Sequence, residues 1–249
     1  MERKTVLITG AAGGIGKATA LKLAEAGYDI VLNYNRSEDA AKKLQETIEK
    51  EYGVRCIALQ ADVSKEHEVG AMVQKADEEF GGVDILINNA AIDMPDLFEF
   101  KTADEFRRVL DVNVVGAYNC ARRVYPHMKA QQWGKIVNIS STNGINTYYP
   151  MCFDYDASKA ALISLTHNLA MQYAPYVNVN AIAPGFIGTE KELEGYDEDF
   201  LKQETEKILL KRYGEPEEVA SLIKFLISDE ASYINNTVIR IDGGQVGSV

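Results

Sequence analysis

Residues 155–159 read Y-D-A-S-K. In a helix, positions i and i+4 share a face with Cβ atoms roughly 5–6 Å apart, so Tyr155 and Lys159 would point the same way. A free phenol has a pKa of about 10, too high for ready proton exchange at neutral pH. A cation one turn away favours phenolate and lowers that value. A pKa nearer the operating pH is what proton transfer by such a phenol would need. The same spacing arises by chance on solvated helices, so its weight depends on what surrounds it. Upstream, Ser140 and Ser141 end the apolar run K-I-V-N-I. Side chains alternate faces along a strand, so one of the two hydroxyls should be structural.

A second chemical signal lies near the start. An apolar strand runs into T9-G-A-A-G-G-I-G16 and then into the helical pattern K-A-T-A-L-K-L-A. A glycine turn opening a helix lets backbone approach a pyrophosphate, and the helix N-terminus favours the anion. The spacing Gly10-x3-Gly14-x-Gly16 departs from G-x-G-x-x-G. The bland alternative is a tight turn with no ligand. The second strand ends at Asn33, followed by Y-N-R-S. An acid there would bind an adenosine ribose and repel a 2′-phosphate, whereas an arginine would do the opposite. Arg36 and Ser37 lie close behind Asn33, and Asp29 is at the wrong end of the strand. This pattern favours NADP(H), with NAD(H) left open; a solvated loop charge is the competing reading of Arg36.

These residues need elements to hold them. Short Val/Ile/Leu-rich runs at 5–9, 29–33, 55–59, 84–87, 135–139, 178–182 and 237–241 read as strands buried on both faces. Helical patterns fall near 15–26, 37–51, 65–80, 102–130, 155–174, 200–211 and 216–227. Ser64 and Thr102 read as N-caps, and Gly27, Gly53 and Gly81 as helix ends. Strand–helix alternation implies a doubly wound parallel α/β sheet. No linker or repeat interrupts it, so residues 1–249 read as one domain. The stretch 186–213, after a Pro-Gly, reads as a substrate lid.

Bulk properties narrow the partners. The chain has 249 residues and a net charge of −11, which disfavours nucleic acid and anionic membrane surfaces. No apolar run approaches the roughly 20 residues that span a bilayer. Cys56, Cys120 and Cys152 are odd in number and lack a C-x-x-C, which fits reduced thiols in a cytoplasm. Three scattered histidines argue against a metal site.

T9-G-x-x-x-G-x-G, N88-N-A-A91, Asn113, S140-S-T, Tyr155-x-x-x-Lys159 and P184-G-F-I-G-T189 occur in one order along the chain. Together they resemble the short-chain dehydrogenase/reductase family over essentially its whole length. The resemblance implies a seven-stranded Rossmann-like sheet with helices on both faces, and a homo-oligomer, often a tetramer. It implies Tyr155 as acid/base, Lys159 as its partner and ribose ligand, and Ser141 as the hydroxyl holding the substrate oxygen. Asn113 would stabilise a helix distortion and a proton-relay water; a buried amide satisfied by backbone is the alternative. Gly10, Gly14, Ile15 and Gly16 would cradle the dinucleotide, with Asn89 and Ala90 beneath it. Asp62 and Val63 would hold adenine, although Asp62 could equally cap its own turn. Pro184, Gly185, Ile187 and Thr189 would meet the nicotinamide.

The implied reaction is hydride exchange between nicotinamide and a small-molecule carbonyl or secondary alcohol. A dinucleotide-binding scaffold without activity is the rival; a serine hydrolase lacks its G-x-S-x-G. Reduction of a 3-oxoacyl group on an acyl carrier protein is a narrower alternative. The lid stretch E190-K-E-L-E-G-Y-D-E-D199 holds six acids and would repel such a polyanion. Arg122, Arg123, Lys129 and Lys135 could offset it. Tyr148, Tyr149, Met151 and Phe153 suggest an aromatic pocket wall or ordinary loop packing.

Overall fold

The computed structural model describes residues 3–146, 148–195 and 197–246, with only the backbone of Lys191. Seven strands form one sheet: β1 (Thr5–Ile8), β2 (Asp29–Tyr34), β3 (Cys56–Gln60), β4 (Ile85–Asn88), β5 (Gly134–Ile139), β6 (Val177–Pro184) and β7 (Val238–Ile241). Their order is β3-β2-β1-β4-β5-β6-β7, and every pairing is parallel.

The alternation of side chains splits the core in two. Val6 and Ile8, Ile30 and Leu32, and Ile85 and Ile87 face one layer, while Leu7, Val31 and Leu86 face the other. The first layer is closed by α1 (Gly14–Glu25), α2 (Glu38–Tyr52) and α9 (Pro216–Ile227), through Leu23, Leu44 and Ile223. The second is closed by α3 (Glu66–Phe80), α5 (Gly116–Ala130) and α6 (Phe153–Tyr173), through Met72, Val124 and Leu169. Burying each such leucine is worth roughly 1.5–3 kcal/mol.

The expected helix over 102–130 is in three parts. Thr102 caps α4 (Ala103–Leu110) with a complete capping box. A π-helical turn over Asp111–Val115 follows, and then α5. Ser64 does not cap α3. Its amide and hydroxyl both donate to Asp62 Oδ1, at 3.1 and 2.6 Å, and Lys65 stands at the cap. The lid segment carries α7 (Glu190–Gly195), which sequence periodicity misses, and α8 (Glu198–Glu206), shorter than expected. It is pinned at both ends: Ile187 bridges Gly214, and Ile208 bridges Gln245. Among the described residues no helix is long and apolar enough to cross a membrane.

Candidate active site

In a doubly wound sheet the crevice opens at the carboxyl edge where strand order reverses, here between β1 and β4. Thr9, Gly10 and Asn89 meet there. The Thr9 hydroxyl accepts from the backbone N–H of Asn89 and Ala90, at 2.9 and 3.0 Å. Asn89 Nδ2 donates to the carbonyls of Thr9 and Gly10, at 2.9 and 3.1 Å. Gly10 and Gly14 adopt φ of +62° and +50°, conformations that side chains rarely allow. A Cβ on Gly16 would lie 2.5 Å from the Gly10 carbonyl oxygen and 2.7 Å from Asn89 Nδ2. Glycine spacing here is thus set by the contact between turn and β4.

The start of α1 differs from the other helix starts except that of α5, which continues out of the π-turn and also lacks a cap and an acid. Its N-cap, Gly13, offers no side-chain cap, and its first turn holds no acid. The first turns of α2, α3, α4, α6, α7, α8 and α9 all carry Asp or Glu. A Cβ built on Gly13 would meet nothing within 4 Å. An uncapped helix N-terminus with open space before it suits a pyrophosphate, so the residues present fit a dinucleotide.

Asn33 is buried and engaged elsewhere. Its Oδ1 accepts from Gly10 N–H at 3.2 Å and its Nδ2 donates to the Ala61 carbonyl at 3.1 Å. Any part it plays in dinucleotide binding runs through the turn it braces. Arg36 and Ser37, just beyond, are exposed. The Asp62 carboxylate accepts from Ser64 and, at 2.9 Å, from Arg108 Nη2. Burial pushes its pKa up, but those hydrogen bonds outweigh it and hold the group below the usual range. Asp62 therefore caps its own turn, while Val63 is buried and its carbonyl accepts from Asn119.

On the far side of β4, a cavity of about 560 Å³ is lined by Ile15, Asn89, Ser141, Tyr155, Lys159, Pro184, Gly185, Ile187 and Thr189. Nine of the residues singled out from sequence thus share one space. Ser140 and Ser141 do point apart. Both residues border the cavity, but Ser140 Oγ donates to the Lys159 carbonyl at 2.9 Å and is structural, whereas Ser141 hydrogen-bonds Tyr155. Lys159 Nζ lies 5.2 Å from the Tyr155 ring centroid and donates to the Ile139 carbonyl at 2.7 Å.

The expected lowering of the Tyr155 pKa is reversed in this state. Burial pushes the phenol well above its ordinary value, Asp93, Glu192 and Asp156 raise it further, and only the Ser141 hydrogen bond pulls it down. Burial also lowers the Lys159 pKa to about 8. Desolvation thus dominates the pair, and Tyr155 stands as a neutral proton donor. Burial raises the Cys152 thiol to about 11, which leaves it no nucleophile.

Asn113 lies in the π-turn. Its Nδ2 donates to the Ile92 carbonyl and to Ser158 Oγ, both at 2.9 Å, and its Oδ1 accepts from Ile92 N–H at 2.8 Å. Both amide protons therefore go to protein, one to a residue beside Lys159. Thr189 Oγ1 accepts from Glu192 N–H at 3.3 Å at the start of α7. Of the aromatic stretch, Tyr149 and Met151 line the main cavity, while Tyr148 and Phe153 line a second one of about 470 Å³.

Sequence reasoning missed three features. A buried ion pair joins Lys101 Nζ to Asp154 Oδ2 at 2.8 Å, and Asp154 Oδ1 accepts from Tyr155 N–H, fixing the start of α6. Glu204, in α8, turns inward to line the cavity, and so does Gln245 beyond β7. The acid at 204 is visible in the sequence, but nothing in its helical spacing marks it as buried. Lys135 is buried at the start of β5 and bonded to Asn178, at the edge of the sheet away from the site, so it joins no basic patch at the mouth.

Comparison with known proteins agrees with this geometry. The family model described as Enoyl-(Acyl carrier protein) reductase matches residues 10–245. The chain is 40% identical to 3-oxoacyl-[acyl-carrier-protein] reductase FabG of Staphylococcus epidermidis, over 97% of this chain and 98% of the relative. It is 39% identical to 3beta-hydroxysteroid dehydrogenase 1 of Eggerthella lenta, over 98% and 94% respectively. Acetoin dehydrogenase YohF of Salmonella typhimurium superposes with a TM-score of 0.87 at 32% identity, covering 97% of this chain and 96% of that one. With its motifs, sheet order and relatives in agreement, the chain belongs to the short-chain dehydrogenase/reductase family, whose members are nicotinamide-dependent oxidoreductases.

Proposed function

We propose that this protein exchanges hydride between NADP(H) and a small uncharged carbonyl compound or its secondary alcohol. The observation that carries the reading is the convergence of Ser141, Tyr155 and Lys159 on one cavity that reaches the glycine turn through Ile15 and Asn89. Pyrophosphate would rest on the N-terminus of α1. Arg36 and Ser37 would meet a 2′-phosphate, Lys159 the nicotinamide ribose, and Ile187 and Thr189 the nicotinamide. The bound nicotinamide supplies hydride to the carbonyl carbon in reduction and accepts it in oxidation.

The chain's own groups do the rest. Ser141 Oγ donates a hydrogen bond to the carbonyl oxygen and holds it beside Tyr155. As negative charge develops there, Tyr155 gives that oxygen its proton. Lys159, protonated below about pH 8, offsets the phenolate left behind. Asn113 holds Ile92 and Ser158 and so steadies α6 against the cavity wall. A hydride thus reaches the carbonyl carbon and a proton its oxygen, and the alcohol leaves. The lid over 186–213 would admit substrate, and apolar side chains exposed at Tyr118 and Met171 on α5 and α6 suit a homo-oligomer, taken as a tetramer.

Removing the phenolic hydroxyl with Tyr155→Phe should cut kcat by about 10²–10⁴-fold, the usual worth of a positioned proton donor, with dinucleotide affinity kept. NADPH consumption over a ketone panel measures the first, and titration the second. Near-normal turnover in the variant refutes the assignment. Reduction of the 3-oxo group of an acyl chain on an acyl carrier protein is the second reading, favoured by the 40% identical relative.

A further inference from the structure

The substrate end of the cavity carries polar groups that the hydride-transfer chemistry leaves unused. Gln245 lines the cavity, is 3% exposed, and its amide oxygen has no partner among the described residues. A Cβ on Gly185 would come within 2.7 Å of that oxygen, which places it against the Pro184–Gly185 turn. The backbone around Gln245 is fixed: it pairs with Ile208 across a β-bridge, and Val246 N–H donates to the Lys207 carbonyl at 2.8 Å. As it stands that oxygen is shielded from the cavity by the turn, so a ligand meets it only when the amide rotates. A buried acceptor without a donor costs about 1–3 kcal/mol, so a rotation that lets a ligand satisfy it is favoured. The torsion that turns a glutamine amide is broad and two-fold, so the group can present its oxygen or its NH₂. A hydroxyl both donates and accepts and matches either face.

The charge lining the same space selects further. Asp93, Glu192 and Glu204 all border the cavity. Glu204 is 3% exposed, accepts from Tyr149 OH at 2.8 Å and pairs with Lys207 at 2.5 Å. Lys159 is the only cation on the lining among the described residues. Such a lining disfavours carboxylates and phosphates and tolerates hydroxyls.

Building on the reductase reading, we propose that the substrate is an uncharged hydroxy-ketone, or the corresponding vicinal diol, whose second hydroxyl is held by Gln245. The reacting oxygen goes to Ser141 and Tyr155, and the neighbouring hydroxyl bonds whichever end of the glutamine amide is turned to the cavity.

The test compares matched ketones that differ by one hydroxyl, 2-butanone against 3-hydroxy-2-butanone and cyclohexanone against 2-hydroxycyclohexanone, with NADPH. Wild type should favour the hydroxylated member in kcat/KM by at least about 30-fold, because a site built around a substrate hydroxyl rejects the analogue lacking it. In Gln245→Met that ratio should fall toward one. Butane-2,3-diol, with dinucleotide present, should raise the Tm of wild type and not of Gln245→Met. Gln245→Asn, which keeps the amide but withdraws it, should give an intermediate ratio. Turnover of both ketones with a wild-type ratio near one overturns the hydroxyl subsite and leaves the reductase reading standing; that arm needs no variant to fold. Dinucleotide binding with no turnover of any carbonyl overturns both.

Discussion

Asn89 and Gln245 are two amides on the wall of one cavity, and they are used in opposite ways. Asn89 donates both amide protons to backbone carbonyls of the glycine turn. Gln245 leaves its buried oxygen unmatched. The same contrast runs through the regions around them. The wall built from β1, β4 and α1 is closed on itself: Thr9 and Asn89 satisfy each other's backbone, Asn33 accepts from Gly10 N–H, and together they make a cradle of fixed shape. The wall built from α7, α8 and the segment after β7 collects acids and one unpartnered amide. A cofactor common to many reactions suits a rigid cradle, and a particular substrate suits polar groups left for it to complete.

If the first wall is a cradle of fixed shape, crowding it should do the most damage. Gly16→Ala puts a methyl group 2.5 Å from the Gly10 carbonyl oxygen and 2.7 Å from Asn89 Nδ2, and the first of these is backbone. Overpacking of this kind costs roughly 1–3 kcal/mol, so dinucleotide affinity should fall about 10- to 100-fold. Fluorescence titration with NADPH measures it. Unchanged affinity would show that the turn does not form the cradle.

The two walls were unequally readable from sequence for the same reason. The glycine turn declares itself because its chemistry depends on missing side chains at fixed spacing next to a strand and a helix. The seven strands declare themselves through runs of Val, Ile and Leu. Thr102 is legible as a cap because Glu105 completes the box three residues on. The π-turn at Asp111–Val115 is not legible from periodicity, since its residues fit an unbroken helical period; the resemblance at Asn113 implies a distortion there, and bonds from Asn113 to Ile92 and Ser158 accompany it. Ser64 misleads because the stronger acceptor, Asp62, takes it first. The direction of the Tyr155 shift is hidden as well: spacing reveals a neighbouring ammonium, but not the burial and the carboxylates of Asp93 and Glu192 that outweigh it. Gln245 follows I-D-G-G with no periodicity to say that it folds back into the cavity.

A change at the rim between the walls should act on cofactor choice alone. Arg36 is exposed behind β2 and no acid ends that strand. A hydrogen bond to a charged group is worth roughly 1.5–3 kcal/mol, reduced by solvent at an open site, so Arg36→Ala should lower the ratio of kcat/KM for NADPH over NADH by about tenfold. The comparison of the two cofactors on one ketone reads it out. A wild type that prefers NADH would remove the basis for NADP(H).

The smallest expected effect probes the second wall. Glu204→Gln keeps an acceptor for Tyr149 OH and removes one negative charge from the cavity lining. Its other partner, the Lys207 side chain, is 51% exposed and loses little when left to water. The fold should therefore survive, with dinucleotide affinity unaltered because the cradle lies on the other wall. What should change is selectivity: kcat/KM for a keto acid relative to its neutral ketone should rise roughly threefold, the scale of one charge acting across a partly solvated cavity. An unmoved ratio would mean that the acid at 204 is screened from the substrate. The acidic lining would then no longer argue against carriers and carboxylates, and the acyl-carrier reading would gain what the hydroxy-ketone reading loses.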